Sequence, residues 1–304
     1  MYRPEIDVEA VTAVDTHVHV EVGDHGHCSL PPDLAAAAAK YFRTDGATPD
    51  VASIAQFYRE RRMLAVVFTV DAEHQLAHPP IPSEEVVERA ADHADVLIPF
   101  GSVDPHRPDA VDRLRSLALD HGARGFKLHP TVQGFDPSDE RFLPFWAALA
   151  ELGLPVVVHT GQTGIGAGVR GGHGFRLRYS DPMLLDDVAA RFPDLTLIFA
   201  HPSVPWQDQA ISIATHKANV AIDLSGWRPK YFPPALVRAA DTFLRRQVLF
   251  GSDFPLIHPD VWMSDFADLP IRPEVRPLIV RDNALRILGL TPETTTPTQT
   301  QEPS

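Results

Sequence analysis

The feature that most constrains the fold of this chain is a unit that repeats along it. A short apolar run rich in β-branched residues is followed by polar or glycine-rich residues, and then by a stretch rich in Ala, Leu, Arg and Asp. Runs that are apolar on both faces predict buried strands of a parallel sheet, and the stretches between them predict helices that cover it. The predicted strands are 13–20, 64–71, 96–103, 123–129, 154–160, 195–201, 219–225 and 247–253, and the predicted helices lie near 84–94, 107–121, 140–152, 182–192, 206–216 and 233–246.

The number of these units predicts an α/β protein built as a single (β/α)8 barrel, the TIM-barrel fold. About eight strands alternate with helices, and 304 residues match the usual length of such a barrel. We therefore expect one domain over 1–290. A doubly wound open sheet is the structural alternative that the same alternation leaves open.

Three segments fall outside the repeat. Residues 21–63 are longer than an ordinary connection, contain predicted helices at 32–41 and 51–62, and are expected to lie over the strand ends as an insertion. Residues 272–290 predict a terminal helix. The tail 291–304 consists only of Thr, Pro, Gln, Glu and Ser, so it cannot bury apolar surface and is expected to be disordered.

Composition argues against several classes of partner. The formal net charge of −13 disfavours nucleic acid and anionic membranes, because both repel an acidic protein. No apolar run approaches the roughly 18 residues of a membrane span, and the N-terminal residues lack a secretory signal. The lone Cys28 cannot form an internal disulfide and suits a reducing cytosol. We expect a cytoplasmic globular protein that acts on a small molecule; barrels of this kind often assemble, so a homo-oligomer stays open.

Metal-competent side chains recur at the ends of the predicted strands. Asp15, His17 and His19 alternate with apolar or small residues, so a strand sends both imidazoles to one face. Polar residues at the carboxyl ends of barrel strands are more often catalytic than structural. A single histidine of this kind is commonly a packing residue, but recurrence on five strands argues for a shared site. The set is His17, His19, Lys127, His129, His159, His201 and Asp253.

These residue types favour the chemistry of a bound divalent metal. Neutral imidazoles with one carboxylate form a site that suits Zn²⁺, with Mn²⁺ or another divalent ion as alternatives. Such a metal lowers the pKa of a bound water toward roughly 7 and polarises a carbonyl. Asp253 would take the proton of that water and deliver it to a leaving group. No GxSxG, P-loop, HExxH or CxxC motif points to another enzyme class.

The motifs around these residues resemble those of the amidohydrolase superfamily over nearly all of 13–290. They are His17-Val18-His19 after Asp15, His159 in HTG, His201 in AHP and Asp253 in GSDFP, and the patterns GFKLHP at 125–130, FGSDFP at 250–255 and Asn283-Ala284 resemble its amidohydrolase-related branch. That branch contains metal-dependent hydrolases and non-oxidative decarboxylases, such as aminocarboxymuconate semialdehyde decarboxylase. The resemblance implies one metal and His201 as a neighbouring acid–base or substrate-polarising group. The implied metal ligands are His17, His19, His159 and Asp253.

Lys127 distinguishes two forms of this site. In dinuclear members of the superfamily, a lysine of the fourth strand becomes a carbamate that bridges two metals, and Lys127 lies on the predicted fourth strand. Lys127 and His129 share parity, so both are predicted to face the barrel axis, with Lys127 deeper. The mononuclear branch needs no carbamate. We favour one metal, with Lys127 as a positive charge beside it; a second metal or a structural salt bridge is the alternative.

Further residues are candidates for contacting the substrate. The glycine-rich loop after the fifth predicted strand carries Arg170, Arg176 and Arg178, which offer cations to a carboxylate or phosphate. His129 and Trp227 follow other strands and are candidates for the wall of the pocket. Loop arginines are commonly only solvated and tryptophan commonly packs in a core, so these readings stay open as well.

Three functions are open at this point. The first is a metal-dependent hydrolase that uses water to attack a carbonyl of a small aromatic or carboxylate-bearing substrate. Similarity to hydrolases of aromatic-acid catabolism adds a specific version, the carbon–carbon (retro-Claisen) cleavage of a β-ketoacyl-CoA. The second is a non-oxidative decarboxylase, a carboxy-lyase of an aromatic or β-keto acid. The third is a non-catalytic binding barrel.

Overall fold

Short parallel strands form the centre of the molecule in a computed structural model that describes residues 1–43 and 48–290. Each strand begins inside one of the predicted apolar runs or one residue before it. The predicted tail 291–304 lies outside the described residues. The strands are β1 (Ala13–His19), β2 (Met63–Phe68), β3 (Leu97–Pro99), β4 (Phe126–Leu128), β5 (Val156–His159), β6 (Leu197–Ala200), β7 (Val220–Asp223) and β8 (Val248–Leu249).

Backbone hydrogen bonds close these strands into a barrel. β1, β2 and β3 form one parallel ladder, and β4 to β8 form a second one in sequence order. The amide of Gly101, after β3, donates to the carbonyl of Gly125, before β4, at 2.9 Å. The amide of Thr16 in β1 donates to the carbonyl of Phe250, after β8, at 3.0 Å. The predicted (β/α)8 barrel is therefore confirmed, and the open sheet is excluded.

Helices follow the strands and cover the outer face of the barrel. The α-helices are α1 (Pro32–Phe42), α2 (Val51–Glu60), α3 (Glu73–Leu76), α4 (Ser83–Ala91), α5 (Ala110–Ser116), α6 (Pro130–Gln133), α7 (Leu143–Leu152), α8 (Asp186–Arg191), α9 (Gln207–His216), α10 (Pro234–Asp241), α11 (Pro259–Ala267) and α12 (Asn283–Ile287). Single π turns span Leu117–His121 and Leu278–Asp282, and 3₁₀ turns span Glu140–Phe142, Arg170–Gly174, Leu177–Ser180, Pro182–Leu185 and Pro229–Tyr231. No helix in 1–43 or 48–290 is long and apolar enough to cross a lipid bilayer.

Helix α11 is not predicted by the sequence pattern. It follows the last strand after a proline-rich turn, and its Pro259 occupies the first turn. The helix forms because Trp262 is completely buried, 4.5 Å from the ring of Phe250, and donates its indole N–H to the carbonyl of Leu224 at 3.2 Å. Leu224 follows β7 and Phe250 follows β8, so the sequence of α11 itself holds no sign of these contacts.

Two apolar clusters divide the core. One lies between the strands and the surrounding helices and includes Val158, Phe199 and Trp146. The other fills the barrel interior and joins inward-facing residues such as Val157 to Leu285 of α12. Side chains along the strands therefore pack alternately in the outer and the inner cluster, as expected for a closed sheet.

An irregularity in β1 determines which of its residues face the interior. The register with β2 shifts between Asp15 and Val18. Asp15 meets Tyr58 of α2 outside the barrel, whereas His17 and His19 face the interior. The predicted common face of the two imidazoles is observed, whereas regular alternation does not extend to Asp15, because one extra residue in a strand reverses the parity of the residues before it.

The insertion after β1 has two structural parts. The Asp50 carboxylate accepts a hydrogen bond from the Ser53 amide at 2.8 Å and so caps the start of α2. α2 then packs on the outside of the barrel through Ile54 and Tyr58, like an ordinary helix between two barrel strands. α1 instead lies across the carboxyl ends of the strands, where its residues line the main cavity.

Candidate functional site

Three predicted metal ligands converge at the carboxyl end of the barrel. The Nε2 atoms of His17 and His19 lie 3.3 Å apart, and Oδ1 of Asp253 lies 3.4 and 3.2 Å from them. The donor atoms of this ligand cluster all lie within 4.8 Å of one another. Ligands bound tetrahedrally at about 2.0 Å from one zinc ion lie about 3.3 Å from each other. The cluster therefore fits a single divalent metal in both chemistry and spacing.

His159, the fourth predicted ligand, is not a member of this three-residue cluster. Its Nδ1 lies 3.0 Å from Nε2 of His201, and its ring stacks on His129 with centroids 3.7 Å apart. Its Nε2 is buried and has no hydrogen-bond partner among the described residues. When Nδ1 carries the proton, Nε2 has a free lone pair, which suits a metal ligand. Its assignment as a ligand stays a prediction that this free nitrogen supports.

Two residues of the β7 end orient the histidines. Nδ1 of His17 lies 2.7 Å from Oδ2 of Asp223. Oγ of Ser225 lies 2.9 Å from Nδ1 of His17 and 2.9 Å from Nδ1 of His201. A ring N–H that donates to a carboxylate leaves the other nitrogen free for a metal. The sequence analysis assigns no role to Asp223 or Ser225, although a carboxylate and a hydroxyl two residues apart at a strand end were a usable signal for this role.

The backbone is strained where two functional residues leave their strands. His201 and Asp253 adopt positive φ angles of 74° and 71°, a conformation that residues other than glycine rarely take. Gly226 has a φ of 72°, and a Cβ at that position would lie 2.4 Å from Nδ1 of His201. Such strain persists only where the surrounding structure imposes it, and it concentrates at functional sites.

Comparison with known proteins identifies the family of this chain. A family model described as amidohydrolase matches residues 14–290. The chain belongs to the amidohydrolase family. It is therefore an enzyme of a metal-dependent family, and the non-catalytic barrel is set aside. A search of curated proteins finds no match.

Solved structures resemble this amidohydrolase in fold. An uncharacterized TIM-barrel protein from Bordetella bronchiseptica has a TM-score of 0.74 at 22% identity, covering 91% of this chain and 98% of its own. A dihydroxybenzoic acid decarboxylase from a Polaromonas species, with bound manganese and the inhibitor 2-nitroresorcinol, has a TM-score of 0.64 at 14% identity over 92% and 97%. A probable 2-pyrone-4,6-dicarboxylic acid hydrolase from Acinetobacter baumannii, with bound citric acid, has a TM-score of 0.58 at 15% identity over 92% and 100%.

Burial and neighbouring charges set the protonation of the amidohydrolase site. Burial opposes ionisation of Asp253, but the hydrogen bond from His19 and the nearby imidazoles outweigh it and hold the pKa well below its usual range. Burial, reinforced by the charge of Lys127, lowers the pKa of His17. Burial lowers the pKa of Lys127 to about 8, against the attraction of two aspartates. The site therefore combines an ionised Asp253 carboxylate with a neutral His17 imidazole, which is the protonation that metal ligands need.

Lys127 lies deep in the barrel, as predicted. It is 1% exposed, and its Nζ lies 3.1 Å from Nε2 of His17. In the described part of the chain, only His17, His19 and Asp253 form a cluster of three ligand groups. One metal stays a prediction, and Lys127 lies beside the cluster as a buried amine.

One large cavity of about 1240 Å³ opens above the ligand cluster. His129 and Trp227, predicted to contact substrate, line it together with His159 and His201. His129 Nε2 lies 3.4 Å from Oγ1 of Thr163, which also lines the cavity.

The three loop arginines lie elsewhere. Arg170, Arg176 and Arg178 are exposed, and none of them lines this cavity. Arg176 donates instead to the hydroxyl of Tyr179 at 2.7 Å. The structure does not bring these side chains to the cavity, and their contact with substrate stays a prediction.

Proposed function

We propose that this amidohydrolase is a metal-dependent hydrolase that adds water to a carbonyl of a carboxylate-bearing substrate. The supporting observation is the convergence of His17, His19 and Asp253 beneath a large cavity. Zn²⁺ is the proposed ion, held by these residues with His159 as the further ligand; the manganese in the Polaromonas decarboxylase makes Mn²⁺ the alternative. When bound, the ion supplies Lewis-acid chemistry, acidifying water and polarising a carbonyl.

The protein's own residues perform the proton transfer and the positioning. Oδ1 of Asp253 belongs to the ligand cluster, and we assign Oδ2 the proton of the attacking water because this carboxylate is ionised and lines the cavity. Lys127 supplies a positive charge that attracts an acidic substrate. An acid–base role of His201 stays a prediction, since both of its ring nitrogens already lie within hydrogen-bonding distance of Ser225 and His159.

Carbon–carbon cleavage of a β-ketoacyl substrate is the specific version of this proposal. Water adds to the ketone, the adjacent carbon–carbon bond breaks, and the electron pair of that bond stays on the leaving carbon. That carbon then takes the proton that Asp253 received. The ketone carbon ends in one product as a carboxylic acid, and the leaving carbon ends in the other product, which keeps the original acyl carbonyl.

Decarboxylation is the second candidate function. It is favoured by the buried amine of Lys127 near the ligand cluster, which suits a carboxylate held for departure as CO₂, and by the fold shared with the dihydroxybenzoic acid decarboxylase. In that reaction the carbon that loses CO₂ takes a proton, and no water enters the product.

The two reactions are separated with isotopically labelled water. Zinc-loaded and manganese-loaded protein is incubated with aromatic and β-keto acids in H₂¹⁸O, and products and trapped CO₂ are measured. Incorporation of ¹⁸O without CO₂ supports the hydrolase, and CO₂ without ¹⁸O selects the decarboxylase. His19→Ala is expected to abolish turnover, whereas His121→Ala, far from the cavity, is the matched control. Full activity in His19→Ala would refute both reactions at this site.

A further inference from the structure

Much of the cavity wall formed by α1 consists of small side chains. Ala35, Ala38 and Ala39 line the cavity, and Phe42 lines it one turn further along the helix. Their spacing of three and four residues places them on a single face of the helix. The alanines leave open the space above the ligand cluster that larger residues would fill.

The cavity is larger than a single-ring acid requires. Its volume is about 1240 Å³, and pockets for drug-sized ligands are typically about 300–1,000 Å³. The amidohydrolase therefore has room for a substrate with a long extension beyond the reacting carbon.

The cavity lining combines charged groups with apolar surface. Lys127 and Asp253 lie in or beside the ligand cluster. Leu76, Ile165 and the alanines of α1 contribute apolar surface to the wall, which also includes Arg43. This lining suits a ligand with a charged end and an apolar arm, because apolar area removed from water contributes to binding in proportion to its size.

The roof of the cavity depends on one close contact. Phe42, at the end of α1, packs on Gly164 in the loop after β5, where a Cβ would lie 2.0 Å from its ring. A side chain at position 164 would displace the Phe42 ring from this contact. The absence of a side chain there lets α1 close over the apolar part of the cavity.

We propose that the substrate is a carboxylic acid with a long apolar arm, aryl-alkyl or acyl, and that this arm lies along the alanine face of α1. The carboxylate end rests on the proposed function, since it is assigned to the metal and Lys127. The arm rests on the cavity wall alone. Ala35 and Ala39 determine the specificity for arm length.

The test uses the metal-loaded protein and a series of 4-alkylbenzoates from methyl to octyl. Titration calorimetry gives a dissociation constant for each compound, before and after the metal is removed with a chelator. We expect the affinity to rise about two- to fourfold per methylene group. Ala39→Trp is expected to reduce the gain from methyl to octyl at least tenfold while leaving 4-methylbenzoate within twofold. Ala35→Leu is the milder second variant and is expected to reduce it in the same direction.

The matched control is Ala37→Trp, on the same helix but outside the cavity lining. It is expected to keep the full dependence on arm length. The proposal is overturned if no compound binds, if affinity is independent of arm length, or if Ala39→Trp behaves like the control. If affinity still rises with arm length but no longer depends on the metal, the proposed carboxylate site is refuted and the proposed site for the apolar arm is supported.

Discussion

His17 contributes Nε2 to the ligand cluster, while its other ring nitrogen contacts Asp223. Its completely buried ring lies with Nδ1 2.7 Å from Asp223 and with Nε2 toward His19 and Asp253. Asp223 therefore selects the tautomer of His17 in which Nε2 is free for a metal. The HxH motif identifies the ligand from sequence, but its partner lies 206 residues away.

Replacing Asp223 tests this orientation. Asp223→Asn keeps the size of the side chain but removes the carboxylate that accepts the His17 N–H. We expect metal affinity to fall about 10- to 100-fold, measured by competition with a chromogenic chelator. Asp186→Asn, which removes a carboxylate paired with Lys217 away from the cavity, is the control and should leave the affinity unchanged. Equal affinities in the two variants would show that Asp223 does not orient His17.

A second buried carboxylate supports the same strand from the opposite side. Asp15 accepts hydrogen bonds from the hydroxyl of Tyr58 at 2.7 Å and from the amide of Ser252 at 2.9 Å. It thereby joins β1, α2 and the segment that ends in Asp253. Nothing in the local sequence of α2 marks Tyr58 for this contact.

Removing the Tyr58 hydroxyl should destabilise the fold. In Tyr58→Phe, the buried carboxylate of Asp15 loses one donor, so we expect the free energy of unfolding to fall by about 1–3 kcal/mol. Urea unfolding followed by circular dichroism measures the change. Tyr231→Phe alters an exposed ring and is expected to have no effect. If Tyr58→Phe is as stable as the wild type, the hydrogen bond from Tyr58 to Asp15 does not contribute to the stability of the fold.

At the scale of elements, α12 closes the barrel at the end opposite the metal. Its Leu285 belongs to the interior cluster with Val14 of β1 and Leu249 of β8. Asn283 donates its side-chain amide to the carbonyls of Arg245 and Val248, at 2.9 and 2.8 Å. The helix predicted over 272–290 forms only in part, as a π turn and a short α-helix, because its position is set by these contacts.

Truncating Leu285 should separate stability from metal binding. Leu285→Ala removes a buried side chain from the barrel interior, and we expect a loss of about 2–5 kcal/mol in the free energy of unfolding. Metal affinity of the folded protein should not change, because the ligand cluster lies at the other end. Leu119→Ala, an exposed position, is the control for the unfolding experiment. A large loss of metal affinity in Leu285→Ala would contradict this separation.

At the scale of the whole molecule, the ligand cluster spans the seam where the barrel closes. His17 and His19 lie on β1, the first strand, and Asp253 follows β8, the last one. The seam is also held by the bond from the Asp253 amide to the His17 carbonyl, at 3.0 Å. A metal bound there joins the two ends of the barrel chain and stabilises only the folded state.

Metal removal should therefore lower the melting temperature. A ligand that binds only the native state at 100 times its Kd adds about 2.7 kcal/mol to the free energy of unfolding. Scanning calorimetry with and without a chelator measures the shift in Tm, and metal titrated back should restore it. In His19→Ala we expect the two Tm values to coincide. A metal-induced shift that survives in His19→Ala would place the ion elsewhere.

Strand positions and the identity of the ligands follow from local pattern. Apolar runs that end in His17, His19, His159 or Asp253 carry their own signal, because side chains alternate along any regular stretch of strand. Strand lengths are less well predicted: the strand expected at 247–253 is only Val248–Leu249, since the polar residues after it turn into the site. The amidohydrolase family is likewise evident from the motifs alone.

The sequence by itself determined the barrel, the ligand types and their order along the chain, because strand periodicity and metal-ligand chemistry are properties of short segments. Only the tertiary structure decided that Asp15 faces outward, that His159 lies within hydrogen-bonding distance of His201, and that the loop arginines lie outside the cavity. It also decided that alanines of α1 line the cavity above the ligand cluster. These outcomes depend on a bulge, a loop path and helix packing, each of which is set by contacts between residues distant in the chain.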